Sequence, residues 1–172
     1  EFWAVADTIW GNIFKKYTEK DELSFLKTVA LFDNFSLIDL SKIHKILHPR
    51  KYHLGEVIFK EQDPGHSMYI VKKGSVKILC ESEDKREREL AILEKGHFFG
   101  EMSVVDDVPR TATAIALDET ELYGFLRADL LNLIDRDPRL ASSILLKLSL
   151  IVGTRLRETN RRLNKCVLKE GD

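Results

Sequence analysis

"GHFFGEMSVVDDVPRTATAIA", residues 96–116, places three carboxylates and one cation in an otherwise apolar neighbourhood. Glu101, Asp106 and Asp107 fall within seven positions, and Arg110 follows Pro109. Phe98 and Phe99 read as the end of a strand. Gly100 permits a backbone turn that a side chain would block. "EMSVVDD" is long enough for one helical turn, whose leading N–H groups would form an anion site. Pro109 stiffens the return of the chain, and Arg110 is expected at the start of the next strand. A guanidinium fork matches two phosphate oxygens as an ammonium does not. The Glu101 carboxylate offers acceptors only, which suits a sugar hydroxyl. Together these groups suit a small sugar-phosphate anion. The same residue types also allow a Glu101–Arg110 salt bridge that merely closes a β-turn, and residue types alone do not choose between the two.

The flanking texture is that of a β-structure. From residue 50 to 127 the segments are short, β-branched or aromatic, and punctuated by glycine: "EVIFK", "MYIVKKGSVKILC", "ELAILEKGHFFG", "TATAIAL" and "ELYGFL". Turn residues at this spacing predict an antiparallel barrel or sandwich. "ESEDKRERE" reads as a charged, solvent-facing hairpin connection. Helical periodicity appears on either side. Phe2, Val5, Ala6, Ile9, Ile13 and Phe14 make an amphipathic helix over residues 2–17; a second is expected from Asp21 to Val29, and a third over "SLIDLSKIHKIL", capped by Ser36 or Asp39 and ended by Pro49. After Arg127 come the short helix "ADLLNLIDRDP" and a long one from Arg139. In the long helix Leu145, Leu148, Val152, Leu156, Thr159 and Leu163 draw one seam, apolar except at Thr159. A polar residue in such a seam calls for a partner, either a ligand or a facing helix.

The spacing Phe-Gly-Glu-Met-Ser, six residues, then Arg-Thr-Ala-Thr resembles the phosphate-binding cassette of the cyclic nucleotide-binding domain family. "GHSMYIVKKGSVKIL" resembles that family's paired strands with their turn glycine, Gly74, and "HLGEVIFKEQDPGHS" its earlier hairpin. The resemblance spans about residues 20–165. It implies an α+β fold: an eight-stranded antiparallel, jelly-roll-like β-roll flanked by N-terminal helices and a long C-terminal helix. The corresponding division is 1–20 N-terminal amphipathic helix, 21–136 β-roll with flanking helices, and 137–172 C-terminal lid or dimerisation helix. By position, the resemblance puts Arg110 on the exocyclic phosphate oxygens and Glu101 on the ribose 2′-OH. Gly100, Met102 and Ser103 would offer backbone groups, and Thr111 a backbone N–H and a hydroxyl. "RLRETNRRL" resembles the helix segment whose polar pair reads the base in catabolite-activator-type members, which places Thr159 and Asn160 at the purine. The implied ligand is cAMP or cGMP, with cAMP favoured. The Thr111 hydroxyl suits a syn guanine, yet bacterial cAMP binders often carry Ser or Thr there. The resemblance allows a homodimer through the C-terminal helix. A second implied reading is the sensor fragment of a catabolite-activator-type transcription regulator, because "NKCVLKEGD" brings no helix-turn-helix into view.

Bulk properties bound the alternatives. A chain of 172 residues with 44% hydrophobic and 32% charged residues suits one soluble domain with helical additions. A formal net charge of -1 argues against a general nucleic-acid binder. The two cysteines, Cys80 and Cys166, form no CxxC, which favours a reducing, cytoplasmic setting. No apolar run suits a membrane span, and no signal peptide is evident. His44 and His48, four apart, have no third ligand nearby in sequence, so no metal is expected. Arg155, Arg157, Arg161, Arg162 and Lys165 read as a solvated helix face. No GxSxG, HExxH or P-loop is present, and the chain is not expected to be an enzyme.

Overall fold

The structure is a computed structural model that describes residues 19–81 and 86–167, with side chains as far as Arg161. The expected helix over residues 2–17 lies outside the described residues. The chain divides into two compact units, the first ending at Leu131 and the second starting at Asn132.

In the first unit, helix α1 occupies residues 19–28 and α2 Leu37–His44. Asp39 N–H donates to Ser36 Oγ (3.2 Å), so Ser36 is the residue that caps α2. The strands follow: β1 His48–Tyr52, β2 Val57–Phe59, β3 Ser67–Lys73, β4 Ser75–Glu81, β5 Glu87–Glu94, β6 Phe98–Phe99, then the single helical turn α3 Met102–Val105, β7 Thr113–Ala116 and β8 Thr120–Leu126. They form two four-stranded antiparallel sheets, ordered β1-β8-β3-β6 and β2-β7-β4-β5. Hairpin β3–β4 passes from one sheet to the other through Gly74 (φ 82°). Helix α4, Arg127–Arg136, runs across the boundary between the units. The β-roll architecture is thus the one implied by the cassette.

Pro49 departs from expectation. Helix α2 stops at His44, ahead of it, and Pro49 sits inside β1. β1 is an edge strand paired only with β8, where a residue without an N–H is tolerated.

Alternation along β3 and β8 makes one sheet serve two layers. Val71 and Leu122 point between the sheets, where they join Val76, Phe99 and Ala114 in a buried cluster edged by Tyr52, Phe59, Tyr69 and Ile78. Lys72 and Tyr123 point the other way, toward the N-terminal helices. Phe25 of α1 and His44 of α2 both lie against the Tyr123 ring, at 6.3 and 5.9 Å between centroids. His48 Nε2 is 2.8 Å from Asp129 Oδ2 in the first turn of α4. The two histidines considered for a metal are therefore engaged in structural contacts.

A polar triad ties α1 to this sheet. Lys72 Nζ lies 2.6 Å from Glu22 Oε1, and Tyr123 Oη donates to Glu22 Oε2 at 2.5 Å. Burial alone would raise the Glu22 pKa; the hydrogen bonds from Lys72 and Tyr123, with the charge of Lys72, outweigh it and hold the carboxyl below its ordinary 4.5. Burial and the bond to Glu22 push the Tyr123 phenol up to about 12.

The second unit is built on α5, Pro138–Val167. Proline suits its first position, and Leu140 N–H donates to Asp137 Oδ1 (3.1 Å) as an N-cap. Leu140, Ala141, Ile144 and Leu148 are buried, whereas residues 154–161 are all exposed. Among the described residues no helix is long and apolar enough to cross a membrane.

The triad generates a test. A carboxyl whose folded pKa is depressed adds stability above its unfolded pKa and loses it as pH falls through the folded value. Thermal unfolding from pH 7 down to pH 3 should therefore show a smaller acid loss in Glu22→Gln than in the parent. At pH 7, Lys72→Met should cost about 1–3 kcal/mol by leaving a largely buried carboxylate with one partner fewer.

Candidate functional site

The segment between β6 and β7 folds as a loop around one buried guanidinium. Arg110 is 5% exposed. It is not part of β7, which begins at Thr113. Its backbone is instead fastened to the β2–β3 loop: Arg110 N–H donates to Asp63 O (2.9 Å), and Gln62 N–H donates to Arg110 O (2.8 Å). Two bonds from a loop hold the residue outside the strand ladder that residue spacing suggested.

The side chain is held at one end and on one face. Nη1 donates to Ser67 O (2.6 Å), to Ser103 Oγ (3.2 Å) and, at the limit of range, to Gly100 O (3.4 Å); Nη2 donates to Ser67 Oγ (3.1 Å). The guanidinium carbon sits 4.0 Å from the centre of the Phe59 ring and 5.9 Å from that of Tyr69. Tyr69 in turn stacks on Phe99 at 5.6 Å. Among the described residues the oxygens that accept from the fork are all neutral, so the salt bridge to Glu101 is not how Arg110 is held. Burial pulls the Arg110 pKa down, opposed by Tyr69 and Asp63. Even so, a guanidinium stays charged at any ordinary pH.

The donors that remain define what the site can take. Nε is buried and has no hydrogen-bond partner, and Nη2 carries a second hydrogen beside it. A buried donor without a partner costs about 1–3 kcal/mol, and among the described residues no carboxylate accepts a hydrogen bond from this buried charge. An anion presenting two oxygens to the Nε–Nη2 edge answers both deficits. The residues therefore fit a phosphate group.

The backbone allows such an approach. Gly100 has φ 73°, and a Cβ there would come within 2.6 Å of Arg110 Nη1. A Cβ on Gly65 would meet Ser103 Oγ at 2.2 Å. The hydrogen bonds of α3 begin with Ser103 N–H to Gly100 O (3.3 Å) and Val104 N–H to Glu101 O (3.2 Å); the amides before them lie outside that ladder. Glu101 is half-buried, while Met102 and Thr111 are exposed.

The structure thus brings Gly100, Glu101, Met102, Ser103, Arg110 and Thr111 into one loop. Thr159 and Asn160 belong to the second unit and are described with it. Both are exposed, and Thr159 Oγ1 donates to Arg155 O (2.9 Å). The hydroxyl that the seam argument left needing a partner finds one in its own helix. Sequence reasoning passed over Ser67, Phe59 and Tyr69. Period-two alternation in "SMYIV" carried a signal, since Ser67 and Tyr69 share a face with Val71.

Comparisons with known proteins agree with this fold. A family model described as "Cyclic nucleotide-binding domain" matches residues 49–137. The chain is 37% identical over 145 residues to the Cyclic AMP receptor protein of Thermus thermophilus, covering 84% of this chain and 65% of that one. It is 32% identical over 118 residues to human (Homo sapiens) cGMP-dependent protein kinase 2, covering 66% of this chain and 16% of that one. The crystal structure of Thermus thermophilus Catabolite Activator Protein superposes with a TM-score of 0.72 at 33% identity, covering 78% of this chain and 62% of that one. The chain therefore spans less than two thirds of the length of each of these relatives.

Gly100→Ala tests the loop without touching a charged group. The positive φ and the approach to Arg110 Nη1 should together lower unfolding free energy by about 1–3 kcal/mol, read from urea denaturation. A loss no larger than that of Gly153→Ala, a helical glycine at which an added Cβ would meet nothing closer than 3.5 Å, would contradict this account of the loop.

Proposed function

The chain belongs to the cyclic nucleotide-binding domain family, and we propose that it binds a cyclic purine nucleotide, cAMP in preference to cGMP, as a cytoplasmic regulatory sensor rather than an enzyme. The observation that carries this reading is the buried Arg110, whose Nε the protein leaves without a hydrogen-bond partner. The nucleotide's exocyclic phosphate oxygens take the Nε–Nη2 edge. Backbone groups of Gly100, Met102 and Ser103 and the amide of Thr111 complete the phosphate contacts, and Glu101 accepts from the ribose 2′-OH. Thr159 and Asn160 are proposed to face the base. The preference for cAMP is favoured by the relative named for that nucleotide, which covers more of this chain than the cGMP-dependent kinase does.

Output is proposed to pass through α5. Leu146, Leu150 and Leu156 are each more than half exposed, so burying them offers a gain of about 1.5–3 kcal/mol per leucine, offset by the cost of ordering the helix. A second copy of the chain is the proposed partner for these leucines. A second reading, favoured by the third of the Thermus thermophilus receptor that lies beyond the match, makes this stretch the sensor part of a catabolite-activator-type transcription regulator.

Calorimetric titration with cAMP, cGMP and 2′-deoxy-cAMP tests the ligand. Arg110→Ala should weaken cAMP binding about 30- to 4,000-fold, and the parent should prefer cAMP to its 2′-deoxy analogue about 10- to 150-fold. A folded Arg110→Ala protein that binds within about threefold of the parent would remove the phosphate from this site.

Hydrogen exchange tests the output. Amides 155–166 should slow when saturating nucleotide is added, and Thr159→Val should blunt both the slowing and the choice between cAMP and cGMP. Equal exchange with and without ligand would place the output elsewhere.

A further inference from the structure

We infer that Ser67, on β3, is a positioning residue that aims the Arg110 guanidinium, and that its hydroxyl decides which edge of the fork faces the ligand. The inference rests on the nucleotide-binding reading of the site and assigns a role to a residue outside the cassette.

Three observations carry it. Ser67 is 7% exposed, so its polar atoms have little access to water. It grips Arg110 twice, through its carbonyl on Nη1 at 2.6 Å and its hydroxyl on Nη2 at 3.1 Å. Its strand position is fixed by pairing with Leu126 of β8, so the grip comes from a sheet rather than a loop. The carbonyl alone would leave the fork free to swing about the Nη1 contact across the Phe59 face. The hydroxyl on Nη2 blocks that swing. It occupies the end of the fork and leaves the Nε side as the edge still to be filled. Ser103 Oγ shares the load only on Nη1. Alanine at 67 keeps the strand and the carbonyl, and removes the second grip alone.

The test is a double-mutant cycle read by calorimetric titration with cAMP, alongside thermal unfolding of each protein. Ser67→Ala should weaken binding about five- to thirtyfold in a protein that still unfolds well above the assay temperature, and Ser67→Thr, which keeps the hydroxyl, should stay within about threefold of the parent. In an Arg110→Lys background, where there is no fork to aim, Ser67→Ala should change affinity less than about twofold. Equal weakening in both backgrounds would make Ser67 merely structural and overturn the inference, as would unchanged affinity in the single variant. A parent protein that binds no cyclic nucleotide would instead overturn the functional reading, and this inference with it.

Discussion

A buried positive charge constrains this fold more than any other group. Taking a guanidinium out of water costs several kcal/mol unless its surroundings answer it. Here the answer is partial: four contacts to neutral oxygens, the face of Phe59, and no carboxylate among the described acceptors. Each supporting feature follows from that. The backbone turns at Gly100 because a side chain there would strike the fork. The β2–β3 loop runs close enough to bond Arg110 through Gln62 and Asp63, and Gln62 accepts a φ of 70° to do so. Strain at a non-glycine residue persists only where neighbours over-determine it, and the paired bonds to Arg110 are those neighbours.

β3 connects this charge to the rest of the molecule. Its inward residues Ser67 and Tyr69 touch Arg110, and its outward Lys72 pairs with Glu22 of α1. One rigid strand therefore carries the anion-facing group on one side and the anchor of the N-terminal helices on the other. Tyr123 of β8, which pairs with Ile70 of β3, repeats the arrangement beside Leu122. Its ring meets α1 and α2 while its neighbour lies in the core between the sheets.

Much of this was legible because the informative residues are local in sequence. The run from Phe98 to Arg110 holds its own turn glycine, its own helical turn and its own cation, so spacing alone was enough to suggest an anion loop. Periodicity likewise placed α2, α4 and α5. Contacts made across the sheets left no local trace. Ser67 is forty-three positions from Arg110, and nothing near it in sequence marks it as a partner. Lys72 and Glu22 are fifty apart, and nothing in the sequence pairs them. β1 was hidden by composition: "HPRKY" is polar and contains proline, and only its place at a sheet edge makes it a strand. The salt bridge to Glu101, one of the two readings left open by residue types, is not among the contacts that hold Arg110.

In the long helix one premise of the sequence argument changes. Thr159 drew notice as a polar break in an apolar seam, on the premise that a hydroxyl there must look outside the helix. In α5 it need not. Ser142, Ser143, Ser149, Thr154 and Thr159 all donate to the carbonyl four residues back, at 2.6 to 2.9 Å, the usual way such side chains satisfy themselves within a helix. Leucines have no such recourse. Leu146 and Leu150, four apart on one face, and Leu156 beyond them remain exposed, and apolar area in water can be relieved only by covering it. Of the side chains of α5 described, it is the exposed leucines rather than the hydroxyls that the helix itself leaves unanswered.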